Sequence, residues 1–359
     1  MDLLSNNFES LWEIIINCSI FGNERAPQVG VHNANILNYM LHITKFIEDN
    51  IIEFNEYYKD ILKSDSPFIQ EAVGHITKMK GKQIRPILVM LSCGMYSVID
   101  KKTYTAASII ELTHMASLIH DDIVDEAYTR RHVWSVNALW RSRNAVLIGD
   151  YVFAKAIHIA STNKMYNIID DISCAIENMS VGELQQANAT LRLNISESEY
   201  FEVIRNKTAI LMGSCLFNGS LIGGADEKTA QEMRIIGEKI GYIFQIIDDI
   251  LDYSTNDTGK QSCNDIKERK ITLPLIYALA SGTKEEHNNI ISIIRDVNKV
   301  KDGVSSIYKY VIEKGGIEKA MEKVEQIKED ITHSLECYPQ NEYSKALVAL
   351  TEYICKRKA

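Results

Sequence analysis

The chain has 359 residues, 46% of them apolar and 24% charged, which suits a globular protein with a sizeable core. A formal net charge of −9 argues against a nucleic-acid binder, which needs a basic face to meet phosphates. The cysteines (Cys18, Cys93, Cys174, Cys215, Cys263, Cys337 and Cys355) are scattered, odd in number and without a CxxC pair, so neither a disulfide framework nor a zinc site is expected.

Residues 1–42 read as an N-terminal extension, a packing or dimerisation element with some helix. Its apolar stretch from Leu11 to Phe21 is interrupted by Glu13 and preceded by Asp2 and Glu9, unlike a secretory signal. No apolar run reaches the roughly 18 to 20 residues of a membrane span, so a cytoplasmic protein is expected.

From residue 43 to 359 the signals are helical. Ile43, Phe46, Ile47 and Ile51 recur at the spacing of a buried stripe. Gly81-Lys82-Gln83-Ile84-Arg85-Pro86 reads as a loop entering a helix, with proline in the first turn. Helices are predicted over 86–98 and 104–126, both too apolar for the surface. Others follow over 144–163, 166–190, 197–224 and 228–253, one opens at Pro274, and several shorter amphipathic helices lie beyond 284. Only 5 prolines interrupt the chain and no useful strand alternation is visible, so the fold class is all-α, one large helical bundle.

Two segments echo each other: Asp121-Asp122-Ile-Val-Asp125 and Asp248-Asp249-Ile-Leu-Asp252, each at the end of an apolar helix. At 100° per residue, Asp121 and Asp125 share a face about 6 Å apart along the axis, as do Asp248 and Asp252. Like charges so placed repel, and a hard cation with oxygen ligands removes that cost; Mg²⁺ suits such a set and commonly shares it with substrate phosphates. A single such run is as well explained by a solvated helix end, but two copies after apolar helices favour a metal site. Lys82 and Arg85 at a helix start, and Arg130 and Arg131 after the first cluster, suit diphosphate oxygens.

These pieces, with Glu111 to Asp125, Gly149-Asp150, Gly182-Glu183, Lys207-Thr208, Phe244 to Asp252, Gly259-Lys260, Asp265 and Lys270 to Pro274, resemble the trans-prenyl diphosphate synthases in order and spacing. Among them the likeness is to the medium- and long-chain synthases of quinone side chains. The resemblance implies a bundle with a central cavity, usually a homodimer. It implies Mg²⁺, about three ions bound with the allylic diphosphate. Asp121, Asp125 and Asp248 would be its chief ligands, with Asp122, Asp249 and Asp252 as neighbours. Lys82, Arg85, His114 and Arg131 would hold isopentenyl diphosphate, with Phe244 against its hydrocarbon. Arg130, Lys207, Thr208, Gln245, Lys260 and Lys270 would surround the allylic diphosphate. The family's usual glycine after the two arginines is replaced by His132, which makes that loop less permissive.

The reaction so implied ionises the allylic diphosphate, and Thr208 and Gln245 stabilise the cation in a site closed to water. The double bond of isopentenyl diphosphate attacks, and the departing diphosphate takes the proton. Below Asp121 on its helix lie Ser117, Ala116 and Thr113, all small or modest, so no aromatic plug stops growth and a product longer than fifteen carbons is expected; the resemblance of this Ala-Ser arrangement to the medium- and long-chain synthases implies one beyond twenty. Transient membrane contact for release of so greasy a product is in keeping with this, though no amphipathic anchor is evident. A twenty-carbon product remains open if another helix blocks the tunnel. A terpene cyclase and an inactive modulatory subunit are the rival readings, and the two intact aspartate clusters argue against both.

Overall fold

The computed structural model describes residues 46–78, 82–130, 133–253 and 263–357. Expectations that fall on residues 1–45, Gly81, Arg131, His132, Gly259 and Lys260 lie outside the described residues.

The described chain is helical almost throughout. Helices α1 (Glu48–Ile61) and α2 (Pro67–Lys78) lead into α3 (Ile84–Gly94) and α4 (Lys101–Val124). Asp100 starts α4 by accepting the backbone N–H groups of Lys102 and Thr103, which satisfies two of the helix's open donors. A short antiparallel hairpin, β1 (Thr129–Arg130) and β2 (Val133–Trp134), follows the first aspartate cluster. It is too short for sequence alternation to reveal.

Helix α5 (Val136–Thr162) begins at the Ser135 cap and is interrupted at Arg141, whose φ of 66° breaks the helical path. That break explains why helical periodicity is clear in the sequence only from residue 144. By length and composition α5 is the one helix among the described residues that reaches a membrane span's requirement, which corrects the expectation of none. In the fold it lies along α4 with Ala145, Ile148 and Val152 buried.

Next come α6 (Tyr166–Arg192), α7 (Glu197–Ile204), a π-helical turn over Arg205–Ala209, α8 (Ile210–Gly223) and α9 (Glu227–Asp252). The helix expected over 197–224 is thus one path with a π turn inserted. The chain ends with α10 (Asn264–Lys267), α11 (Leu273–Ser281), α12 (Lys284–Arg295), α13 (Gly303–Glu313), α14 (Gly316–Leu335) and α15 (Glu342–Cys355).

Helix α8 is the axis of the bundle. Every residue from Ile210 to Ser220 is buried, so neighbours surround it: α3, α4, α6 and α9. Each fully buried aliphatic side chain there contributes about 1.5–3 kcal/mol relative to exposure, which is why so apolar a helix sits centrally. Helices α8 and α9 approach closely where side chains are absent. A Cβ on Gly241 would fall 2.4 Å from the Ala209 Cα, so the two backbones nearly touch beside the π turn. A second, smaller apolar cluster joins α11, α12 and α13 to Tyr253, Cys263 and Ile266. The cysteines among the described residues are all free.

Candidate active site

The first aspartate cluster sits where α4 ends. Asp121 is half-buried, and its carboxyl is pushed up to about 6 by burial and by the charges of Glu183 and Asp125, against the opposing Lys207 and Arg130. Asp122 turns inward and is only 2% exposed. Its Oδ1 accepts the Arg130 Nε at 2.8 Å and Nη2 at 2.7 Å. Arg130, expected at the diphosphate, therefore pairs with a neighbouring carboxylate in this structure. Asp125 closes the helix as an exposed cap, with its backbone N–H 2.8 Å from the Asp121 carbonyl.

The second cluster sits where α9 ends, and its members divide their work in the same way. Asp248 carries an ion pair, Oδ1 to Arg357 Nη2 at 2.8 Å. Burial raises its carboxyl, while the charges of Arg357 and Lys82 oppose the rise. Asp249 is buried, accepting the Tyr200 hydroxyl at 2.6 Å and the Gln245 Nε2 at 2.9 Å. Burial, then the charges of Asp265 and Asp248, push it up to about 8 despite those bonds. Asp252 uses both oxygens to accept the backbone N–H groups of Asn264 and Asp265, each at 2.9 Å. It thereby holds Asp265 against the site, where burial and the charge of Asp252 raise the Asp265 carboxyl to about 6.

The π turn aims the groups between the clusters. A π turn adds a residue to a helical path and so redirects the side chains it carries. Here Lys207 reaches Glu183 of α6 at 2.6 Å, and Thr208 donates to the Gln245 Oε1 at 2.8 Å. The turn lies against Gly182, where a Cβ would be 2.9 Å from the Lys207 backbone nitrogen. Lys207 acts electrostatically on both Asp121 of the first cluster and Asp265, which Asp252 holds by its backbone N–H. Lys270 does the same lower down. Burial opposes its charge, but the 2.6 Å bond to Glu268 and the charges of Glu268, Asp265 and Asp125 outweigh it and raise its pKa. Two lysines therefore act between carboxylates at the end of α4 and Asp265 beyond α9.

The remaining candidates lie on α3, α4 and α9. Lys82 donates to the Tyr353 hydroxyl at 3.1 Å and acts on Asp248. Phe244 is half-buried beneath the Arg357 guanidinium, whose carbon is 4.8 Å from the ring centre. Arg85 and His114 are half-buried, and the Arg85 charge acts on Cys215 of α8 together with that of Glu111. Below Asp121, Ala116 and Thr113 are buried and Ser117 is half-buried. The Thr113 and Ser117 hydroxyls bond back to helix carbonyls, at 2.9 Å and 2.8 Å, so neither needs a partner across the bundle. A surface hollow of about 620 Å³ near the α1–α2 turn, lined by Lys63, Gln70, Tyr151 and Lys155, contains none of these groups.

Four members of the constellation had no assigned role from sequence. Glu183 and Asp265 lie inside recognisable motifs, and their acidity beside lysines was the available signal. Tyr200 gave none, because a tyrosine on a helix is ordinarily core. Arg357 is remote from every motif, and only the course of α15 across α3 and α9 brings it in.

The donor chemistry fits hard divalent cations: the carboxylates offer oxygen only, and Asp121, Asp248 and Asp265 are raised by burial without enough cationic partners. Among the described residues no three acidic, histidine or cysteine side chains converge closely enough to hold an ion alone. A cation whose remaining ligands come from diphosphate oxygens and water suits this spread arrangement.

Residues 66–311 match the family model described as polyprenyl synthetase. The chain is 29% identical over 310 residues to an octaprenyl diphosphate synthase of Haemophilus influenzae, covering 86% of this chain and 94% of that protein. It is 30% identical over 317 residues to heptaprenyl diphosphate synthase component 2 of Bacillus subtilis, covering 87% and 89%. In fold it is similar to a polyprenyl synthase from Caulobacter crescentus solved with calcium and isoprenyl diphosphate. The TM-score is 0.80 at 26% identity, over 88% of this chain and 97% of that one.

Proposed function

This chain belongs to the polyprenyl synthetase family and is a prenyltransferase, and we propose that it condenses isopentenyl diphosphate repeatedly with an allylic diphosphate to give an all-trans polyprenyl diphosphate longer than twenty carbons. The observation that carries this reading is that Lys207 and Lys270 act both on the first aspartate cluster and on Asp265, which the second cluster holds through Asp252.

Asp121, Asp125 and Asp248 are the chief ligands for Mg²⁺ in this reading, supported by the burial that raises the Asp121 and Asp248 carboxyls at the ends of α4 and α9. Asp122, Asp249 and Asp252 hold the local structure instead, as their bonds to Arg130, Tyr200, Gln245 and the α10 backbone suggest. When bound with the substrate, Mg²⁺ supplies charge neutralisation that makes the allylic diphosphate a good leaving group. Lys207, Lys270 and Lys260 hold the same diphosphate, while Arg130 positions Asp122 at its edge. Lys82, Arg85, His114 and Arg131 bind isopentenyl diphosphate, and Phe244 supports its hydrocarbon.

Thr208 and Gln245 form a fixed dipole chain ending on Asp249, so their orientation is set before substrate arrives. They stabilise positive charge developing on the allylic carbon, and the departing diphosphate accepts the proton lost on condensation. The growing chain passes the small side chains of Ser117, Ala116 and Thr113. The octaprenyl and heptaprenyl products in the names of its relatives support the longer product. A homodimer is supported by Leu139, Val146 and Leu147, large apolar side chains that α5 leaves exposed. Residues 43–359 form the synthase unit and residues 1–42 an extension, with the cytoplasm as the site of action.

The test is purified protein with Mg²⁺, labelled isopentenyl diphosphate and farnesyl diphosphate, with products sized by chromatography. A ladder beyond twenty carbons is expected. No incorporation would overturn the reading, and a ladder ending at twenty carbons would overturn only the product length.

A further inference from the structure

Tyr200 stands on α7, a short helix started by a reciprocal cap between Ser196 and Glu199. Its side chain is buried, and its ring meets that of Phe201 edge-on with centres 5.6 Å apart. Its hydroxyl donates to Asp249 Oδ2 at 2.6 Å. Asp249 Oδ1 accepts the Gln245 Nε2 at 2.9 Å, and Gln245 Oε1 accepts the Thr208 hydroxyl at 2.8 Å. One unbroken series of hydrogen bonds therefore runs from the core side of α7, along one turn of α9, to the π turn. Tyr200, Asp249 and Thr208 are buried and Gln245 is half-buried.

This series has a sense. A threonine hydroxyl donates or accepts, so Thr208 alone does not decide which end of the Gln245 amide faces it. A carboxylate oxygen accepts, so Asp249 Oδ1 draws the amide nitrogen to itself and leaves the amide oxygen facing Thr208. Asp249 does this only while its carboxyl plane is held. Rotation about the last bond of an aspartate is soft, and the Tyr200 hydroxyl on Oδ2 is what pins it.

We infer that Tyr200 is a positioning residue for ionisation of the allylic diphosphate: through Asp249, its hydroxyl sets the sense of the Gln245 amide, so that oxygen rather than N–H is presented beside Thr208. This rests on the reading of Thr208 and Gln245 given above. An amide oxygen favours positive charge on the allylic carbon, whereas an N–H opposes it. The intact allylic diphosphate carries no charge at that carbon and is indifferent to the sense. Loss of the Tyr200 hydroxyl therefore weakens stabilisation of the ionised state and leaves ground-state binding as it was.

The test uses the full chain with Mg²⁺ and two unreactive analogues of farnesyl diphosphate. One has sulfur in place of the bridging oxygen and is neutral at the allylic carbon; the other carries an ammonium group in place of that carbon. Calorimetry measures both affinities for wild type, Tyr200→Phe, Gln245→Met and the double variant. Tyr200→Phe keeps the ring against Phe201. It is expected to bind the sulfur analogue within about twofold of wild type, which also reports an intact fold, and the ammonium analogue about tenfold more weakly. Incorporation of isopentenyl diphosphate should fall by a similar factor in kcat, with KM within about twofold. In the Gln245→Met background the same substitution should change ammonium binding by less than about twofold, since no amide remains to turn. Equal weakening of both analogues, unchanged ammonium binding, or additive effects in the double variant would overturn the role of Tyr200 alone. No binding of either analogue by wild type would overturn the prenyl-transfer reading of the site as well.

Discussion

The Lys207 Nζ lies 2.6 Å from the Glu183 Oε1, and both charges act on Asp121 of the first aspartate cluster. Its ammonium favours the charged forms of Asp121 on one side and Asp265 on the other. Both side chains are partly exposed, at 33% and 40%, so the pair itself adds little stability. Lys207→Met is therefore expected to shift unfolding by less than about 1 kcal/mol in denaturant titration. The same change should lower kcat by about 10²–10³, because one preorganised cation at the developing diphosphate charge is lost.

Asp249 makes stability fall with pH. Its folded pKa is about 8, well above the ordinary carboxylate value, because burial disfavours the charge. Between pH 4 and 8 the folded state therefore holds a proton that the unfolded state has released. Stability declines as pH rises through that window and levels off above it. Asp249→Asn keeps a neutral group in place and removes this slope. Thermal unfolding in chelator should show the variant gaining on wild type from pH 5 to pH 8. An equal difference at both pH values would show that Asp249 does not titrate there.

Gly182 sets the distance between α6 and the π turn. A Cβ at this position would lie 2.9 Å from both the Asn206 Cβ and the Lys207 nitrogen, so backbone must move. Gly182→Ala is expected to cost about 1–3 kcal/mol in denaturant titration. It should also lower kcat more than it raises KM, since Lys207 and Thr208 shift from their partners while the isopentenyl side is untouched. A variant with wild-type stability would contradict the close approach.

Much of this arrangement is legible in the sequence, and for physical reasons. The apolar runs before Asp121 and Asp248 announce central helices, and the spacing of the aspartates puts two carboxylates of each cluster on one face. The division of labour within a cluster is not legible there. Asp122 and Asp249 are identical in type to their neighbours, and only the third dimension supplies Arg130, Tyr200 and Gln245 to hold them inside. The π turn at Arg205–Ala209 is hidden for a related reason: one extra residue shifts the phase without interrupting the apolar pattern. The break at Arg141 carries no proline or glycine to mark it. Arg357 depends on the path of α15, a tertiary fact that no local motif encodes.

Ala116 is buried one turn below the first cluster with only 3% exposure, and Ser117 and Thr113 beside it turn their hydroxyls to their own helix. An aromatic ring there would stand in the path proposed for the growing chain. Ala116→Phe is expected to shorten the product to twenty carbons or fewer while leaving the first condensation within about threefold of wild type. Chromatographic sizing of labelled products checks this, and an unchanged ladder would place the chain elsewhere in the bundle.

The proposed chemistry needs both carboxylate clusters to act on one diphosphate through shared cations. The most direct measurement is Mg²⁺-dependent incorporation of labelled isopentenyl diphosphate by wild type, Asp121→Asn and Asp248→Asn, each checked for an unchanged circular dichroism spectrum. Either substitution alone is expected to lower kcat at least about 10²-fold, because neither cluster substitutes for the other. Activity within a few-fold of wild type in either variant would contradict it.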